Sequence, residues 1–275
     1  MTAALKHLLR AALPASLHAA LTRHRRLRFT GPYRTWSDAR AASTGYDAPD
    51  VLARMTAATR AVAAGRAAYE RDTVLFPEPA ADPLLLAELT ALASLRPAGL
   101  RVLDFGGALG STCFQHRPFL QSLPPIVWHI AEQPEIAARG RAKFSGPHLT
   151  FHDSLESALA PGPPDLVLIS SVLQYLPDPW PLLARLAELP ARAWLITRTP
   201  FADTLRSDQI VVQHVPATIY AASYPAWIFS PAYFIAFWGA RSVTLTWHPC
   251  TDGHFTAADV PFDYRSAVLH PLPGK

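Results

Sequence analysis

Arg101-Val-Leu-Asp-Phe-Gly-Gly-Ala-Leu-Gly-Ser-Thr-Cys113 drives a short apolar run into an acid, Asp104, and then into Gly106, Gly107 and Gly110. A run of this length predicts a buried strand, and the glycines predict a turn in which backbone approaches a ligand closely. Spacing removes two phosphate-binding patterns. A dinucleotide fingerprint starting at Gly106 requires glycine at 108 and 111, where this chain has Ala108 and Ser111, and no G-x-x-x-x-G-K-[ST] loop occurs. What remains is Asp104-x-Gly106-x-Ala108-x-Gly110, an acid at a strand end followed by small residues at alternate positions. Ala108 fits this turn if its φ is negative.

The chain around this loop has 275 residues, half of them apolar, enough to bury a substantial core. Its two cysteines, Cys113 and Cys250, form no Cys-x-x-Cys pair, which gives no support to a disulfide framework or a structural zinc site and makes a reducing, cytoplasmic setting the simplest expectation. The formal charge of +4 is concentrated in residues 1 to 28, which carry Lys6, Arg10, Arg23, Arg25, Arg26 and Arg28 and no acid. Ala11 to Thr22 contains Pro14 and is shorter than the roughly 18 residues of a membrane span, and no signal peptide is evident. The segment reads as an N-terminal helical arm. The alternative is peripheral attachment to an anionic membrane surface.

Downstream, Phe29 to Tyr46 predicts an irregular packed segment, Ala48 to Arg71 one or two helices, and Pro83 to Leu95 a further helix. Short β-rich runs then begin: Arg101 to Phe105, Ile126 to Ala131, Leu149 to Phe151, Leu166 to Ser170 and Ala193 to Thr197. Helical patterns such as PEIAARGRAKF and PWPLLARLAEL separate most of them. That alternation predicts a parallel sheet with helices on both faces. Ser242 to Trp247 and Tyr264 to His270 predict an antiparallel pair at the sheet edge, joined by a loop containing Asp252-Gly253. The expected division is a helical arm and cap over residues 1–96 and an α/β domain over 97–275, with an insert at about 203–240 facing the substrate side.

The Asp104-to-Gly110 pattern resembles the first motif of class I methyltransferases that use S-adenosylmethionine, departing from it at Ala108. The resemblance extends through Glu132 at the end of the second run, Leu149-Thr150-Phe151-His152-Asp153-Ser154, and Asp165 to Asp178, which resembles the family's fourth motif. WSDARAASTGYD, Arg198-Thr199-Pro200-Phe201 and VQHVPATIYAASYPAWIFS are similar to an uncharacterised bacterial methyltransferase family often encoded among cell-surface polysaccharide genes. The resemblance implies a Rossmann-like fold, with a mostly parallel seven-stranded sheet ending in an antiparallel strand pair. It also implies S-adenosyl-L-methionine as cofactor and a carbohydrate-related acceptor. Asp104, Gly106, Gly107, Ala108 and Gly110 then face the methionine part. Glu132 and Gln133 lie at the ribose, where one carboxylate accepts from both hydroxyls. Asp153 and Ser154 lie at the adenine, and Ser170 and Ser171 border the methyl. Two alternatives stay open: Glu132 as a cap for the helix begun at Pro134, and Asp153 as the N-cap of the helix over Leu155 to Leu159.

Methyl transfer is an in-line displacement, so alignment and exclusion of water come before any dedicated catalytic group. A hydroxyl acceptor benefits from a base. His214, Tyr175 and Arg198 are the catalytic candidates: His214 for its pKa, Arg198 also as a ligand for a phosphate or carboxylate. Gln174, Tyr220, Tyr224 and Trp227 are the substrate-binding candidates, the aromatic faces suiting a sugar ring; core packing is their alternative. The eleven histidines are scattered without a His-Glu-x-x-His pattern, so no metal is expected. Basic residues away from the methyl site argue against nucleic acid. The primary expectation is O-methylation of a small or carbohydrate-linked acceptor. The alternative is a catalytically inactive nucleotide-binding or interaction module.

Overall fold

Apolar runs without polar alternation make strands covered on both faces, and five such runs form the centre of the molecule. The computed structural model describes residues 27–45, 49–216, 222–241 and 243–272. The N-terminal part holds β1 (Arg28–Tyr33), α1 (Trp36–Ala41), α2 (Pro49–Ala63), β2 (Tyr69–Arg71), β3 (Val74–Phe76) and α3 (Pro83–Leu95). The alternating part follows with β4 (Leu100–Phe105), α4 (Ser111–Leu120), β5 (Ile126–Ala131), α5 (Pro134–Lys143), β6 (Leu149–His152), α6 (Leu155–Leu159) and β7 (Leu166–Ser170). It continues through α7 (Pro179–Ala187), β8 (Ala193–Phe201), β9 (Gln209–Val215), β10 (Ala222–Ile228), α8 (Pro231–Gly239), β11 (Val243–Ala257) and β12 (Val260–Pro271).

The main sheet has seven strands in the order β11-β12-β8-β7-β4-β5-β6. β4, β5, β6, β7 and β8 pair in parallel, while β12 runs antiparallel to β8 and β11 antiparallel to β12. The mostly parallel sheet with an antiparallel C-terminal pair is therefore the observed architecture. Because side chains alternate along a strand, β4 serves two cores. Val102 packs with Leu85, Leu89 and Leu92 of α3, and Leu103 packs with Leu155, Leu183 and Trp238 on the opposite face. The α3 entry is fixed locally: Pro83 occupies the first turn and the Asp82 carboxylate accepts from the amides of Leu84 and Leu85 at 3.0 and 3.2 Å. The chain leaves β4 toward β5 and β6, then crosses back to β7 on β4's other side. That reversal leaves a crevice at the carboxyl ends of β4 and β7, where ligands of open α/β sheets collect.

Three expectations need correction. Phe29 to Tyr46 is not irregular: β1 pairs with β9, and β9 with β10, as a second antiparallel sheet, with α1 packed on it through Ala39, Ile210 and Val212. Ala48 to Arg71 is not all helix. Gly65 takes φ +69° and ends α2 with two reverse bonds, Gly65 N–H to the Val62 carbonyl and Arg66 N–H to the Ala61 carbonyl. Tyr69–Arg71 then pairs with Val74–Phe76 as a hairpin. Lastly, the C-terminal hairpin turns at Ala258-Asp259, both with positive φ, while Asp252-Gly253 falls within β11 at a break in its register. Among the described residues no helix is long and apolar enough to cross a membrane. Residues 1–26 of the basic arm lie outside the described residues.

Candidate functional site

The glycine turn sits on top of β4. Gly106 N–H donates to the Ala131 carbonyl at 2.9 Å, tying the turn to β5, and Gly110 N–H closes it on the Gly107 carbonyl at 3.0 Å. Side chains are excluded here by the protein's own packing. A Cβ on Gly106 meets Val172 Cγ2 at 2.5 Å, and one on Gly107 meets the Asp104 carboxyl at 2.5 Å. Ala108 is the exception, and it does not meet the condition of a negative φ: φ is +51°, in the left-handed region. Left-handed backbone costs a residue with a Cβ roughly 1 kcal/mol. Ala108→Gly is accordingly expected to raise stability by about 0.5–1 kcal/mol with ligand affinity at the turn kept or improved, as read by urea unfolding and calorimetry; a destabilised variant contradicts this account of the turn.

Two carboxyls lie beneath and beside the turn. Asp104 is buried and accepts from Trp128 Nε1 at 2.8 Å. Burial pushes its pKa up to about 7 against the lowering effect of the Trp128 bond, and the neighbouring Glu132 charge adds to the rise. Glu132 reaches across to the turn: one oxygen accepts from Ala108 N–H at 3.2 Å and the other from Gln133 N–H at 2.7 Å. Burial raises the Glu132 pKa, and these two amide bonds oppose the rise. The Glu132 carboxylate does not cap α5, whose N-cap is Gln133 with no side-chain bond. Each Glu132 oxygen keeps acceptor capacity beyond its one amide partner. Nor is Asp153 an N-cap. Ser154 caps α6 by accepting from Ser157 N–H at 3.1 Å, and Asp153 pairs with Arg141 at 3.3 Å.

Beyond β7 the chain turns tightly. Ser170 Oγ accepts from Thr197 Oγ1 at 2.9 Å, and Ser171, at φ +58°, donates its amide to the Thr197 carbonyl at 3.0 Å. Next to this turn is a cavity of about 150 Å³, lined by Leu27, Arg71, Asp72, Ser171, Tyr175, Arg198, Gln213, Val215, Tyr224, Phe255 and Tyr264. Tyr175 donates to Gln213 Oε1 at 3.2 Å, Gln213 Nε2 donates to the Tyr224 hydroxyl at 3.3 Å, and the two tyrosine rings meet edge to face at 5.1 Å. Arg198 Nη2 lies 3.9 Å from the Asp72 carboxylate at the tip of the β2–β3 hairpin.

The cavity thus brings together Tyr175, Arg198, Tyr224 and Ser171, and leaves other candidates elsewhere. His214 points to the opposite face of β9 from Gln213. Its Nε2 meets Thr30 Oγ1 at 2.9 Å, and burial together with the nearby Arg28 lowers its pKa. Trp227 is a packing residue, stacked on Trp36 at 5.9 Å and bonded through Nε1 to the Leu176 carbonyl at 2.9 Å. Gln174 is fully buried rather than exposed to a ligand. Its Nε2 donates to Ser171 Oγ and to the Arg198 carbonyl, holding both cavity residues from behind. Burial and the Asp72 charge raise the Tyr175 pKa, so its hydroxyl is a proton donor rather than a base. Tyr220 lies outside the described residues. Arg71, Asp72, Gln213, Phe255 and Tyr264 were not singled out from the sequence; the signal for the first two was Gly65, the helix stop that frees the hairpin.

Among the described residues no group of three or more His, Cys, Asp or Glu side chains is placed to hold a metal ion. No protein-family model matches the chain, and no curated protein matches it. Similar solved structures include the N-terminal domain of EvdMO1 in the presence of SAH and D-fucose, 15% identical over 78% of this chain and 95% of that one, with a TM-score of 0.46. Another is the glycopeptide N-methyltransferase MtfA complexed with sinefungin, 17% identical over 71% of this chain and 88% of that one, TM-score 0.45. A third is magnesium protoporphyrin IX methyltransferase from Synechocystis PCC 6803 with bound SAM, 16% identical over 98% and 99% of the two chains, TM-score 0.41. By its own strand order, with the antiparallel pair closing a parallel sheet, the chain has a Rossmann-like α/β fold.

Proposed function

We propose that this chain is an S-adenosylmethionine-dependent methyltransferase acting on a hydroxyl of a small or carbohydrate-linked acceptor. The observation that carries the reading is Glu132: a carboxylate at the end of the second parallel strand, held by Ala108 N–H of the glycine turn and by Gln133 N–H, with lone pairs left on both oxygens for a vicinal diol. S-adenosylmethionine supplies an activated methyl on a sulfonium. Asp104, Gly106, Gly107, Ala108 and Gly110 form the floor and rim for its amino-acid part, Gln133 flanks the ribose, and Asp153 and Ser154 border the adenine. Ser170 and Ser171 lead from there to the cavity, which is the place of the acceptor. Of the cavity's described lining residues Asp72 is the only carboxylate, and it is the group positioned to take a proton from an acceptor hydroxyl. Tyr175 stays protonated and fixes Gln213, and Arg198 holds Asp72. On this reading residues 28–96 and the insert at about 203–240 together form the acceptor side, and residues 97 onward carry the cofactor.

Calorimetry with S-adenosylmethionine and S-adenosylhomocysteine tests the cofactor, with micromolar binding of both expected. Folded protein that binds neither overturns the reading. Methyl release onto activated sugars and glycans then separates an enzyme from an inactive module that only keeps the fold.

A further inference from the structure

A carboxylate that belongs to neither the glycine turn nor the cavity lining ties the one to the other. The β2–β3 hairpin carries Asp72 to the cavity on a two-residue loop, Asp72-Thr73, between the paired Arg71 and Val74. Both loop residues take positive φ, +50° at Asp72 and +68° at Thr73. Hairpin loops of this kind favour Asn or Asp followed by glycine, and a branched side chain such as threonine is costly there. Backbone strain persists only where the surroundings hold it. Glu70 is what holds this loop: one of its oxygens accepts from Thr73 N–H at 2.9 Å, closing the chain around Asp72.

The other Glu70 oxygen accepts from the Ser111 hydroxyl. Ser111 is the first residue of α4 and follows Gly110, which takes φ +88° and N-caps the helix without a side-chain bond. A carboxylate beside that start is favoured by the helix dipole. Thr59 of α2, itself fully buried, places Oγ1 3.2 Å from the same Ser111 hydroxyl, so α2, the turn and the hairpin meet at one atom. The path from turn to cavity runs Gly110, Ser111, Glu70, Thr73, Asp72, each step a peptide bond or a hydrogen bond.

Resting on the reading of the glycine turn as the cofactor's place and the cavity as the acceptor's, we infer that Glu70 is a positioning residue that holds Asp72 in the acceptor cavity from the cofactor's turn, so that a bound cofactor steadies the hairpin. A ligand that fixes the turn also fixes the Ser111 hydroxyl, and the hairpin then opens only by leaving a partner that no longer follows it. The acceptor's carboxylate is set most firmly once the cofactor is in place.

The test is amide hydrogen exchange of the full chain, read by mass spectrometry over the hairpin, residues 69–76, and the turn, residues 106–110. Each protein is measured without S-adenosylhomocysteine and with it at a concentration that calorimetry shows to be saturating. In the parent the ligand is expected to slow exchange in both segments, by about fivefold in the hairpin, the size of one net hydrogen bond. Ser111→Ala keeps the Glu70 bond to Thr73, and with it the hairpin, yet is expected to lose the hairpin's response while the turn stays protected. Glu70→Ala is expected to lose the response and to exchange faster in the hairpin without ligand. Glu70→Gln should keep part of the response, because an amide accepts from Thr73 N–H and donates to the Ser111 hydroxyl. A Glu70 that only stabilises the hairpin would leave the response of Ser111→Ala intact. That result, or a parent hairpin indifferent to bound S-adenosylhomocysteine, overturns the inference alone. Folded protein that binds no S-adenosylhomocysteine overturns the cofactor reading and this inference with it, and the calorimetry tells the two failures apart.

Discussion

Replacing Glu132 by alanine is expected to weaken S-adenosylhomocysteine binding by roughly 3 kcal/mol, on the order of a hundredfold, because two charge-assisted hydrogen bonds are lost at once. The structure makes the effect specific. Glu132 is already oriented by the amides of Ala108 and Gln133, so the ligand gains a fixed carboxylate rather than ordering a mobile one. Glu132→Gln should lose less, since one oxygen acceptor remains while an amide group replaces the other. Because burial raises the Glu132 pKa, affinity should also fall as pH drops through that raised value, where the carboxylate is protonated. Calorimetry across pH checks both points, and affinity within about threefold of the parent (well under 1.4 kcal/mol) would remove Glu132 from the ribose site.

The second large effect concerns stability. Asp104 has a pKa of about 7 in the folded protein against 3.8 for the unburied group. A carboxyl whose pKa is raised by folding binds its proton more tightly in the native state. Stability is therefore unaffected by it below about pH 4, falls as pH rises between the two values, and stays reduced above about 7. The accumulated cost is on the order of 4 kcal/mol. Asp104→Asn retains an oxygen acceptor for Trp128 Nε1 and removes the ionisation. Its urea midpoint should thus lose less than the parent's between pH 5 and 8 and exceed the parent's at pH 8. The same pH dependence in parent and variant across this range would show that Asp104 does not titrate in this window.

The parallel sheet was legible because its signal is local: β5 and β7 match their apolar runs, and β4 and β6 extend theirs by a single residue. The acid and glycines of the turn were legible for the same reason. What required three dimensions was set by distant partners. β1 contains Gly31 and Pro32 and has no strand-like alternation of its own; it is a strand because β9, some 180 residues later, pairs with it, Arg28 opposite His214. The alternation of Gln213 and His214 was visible, yet which of the two faces the cavity depends on that pairing, and His214 faces away. The Ala108 conformation was not legible, because alanine prefers negative φ, whereas in this turn Ala108 is left-handed with its amide bonded to Glu132. Gly65 was a readable stop within an alanine-rich stretch, and its Schellman geometry separates helix from hairpin.

The two halves of the site differ in how far along the chain their parts lie. The glycine turn and Glu132 come from one contiguous stretch between Asp104 and Gln133, whereas the cavity draws walls from Leu27, the hairpin at Arg71 and Asp72, the turn after β7, the middle of β8, β9, β10 and finally Phe255 and Tyr264. Contacts across such separations form late, because loop closure must precede them. When Gln133 has been added during synthesis, the turn and its carboxylates are all made while slightly more than half the chain, including the last wall of the cavity, is still unmade. The order of assembly runs from glycine turn to cavity, and the cavity is complete only when Leu27 and Tyr264, far apart along the chain, have come together.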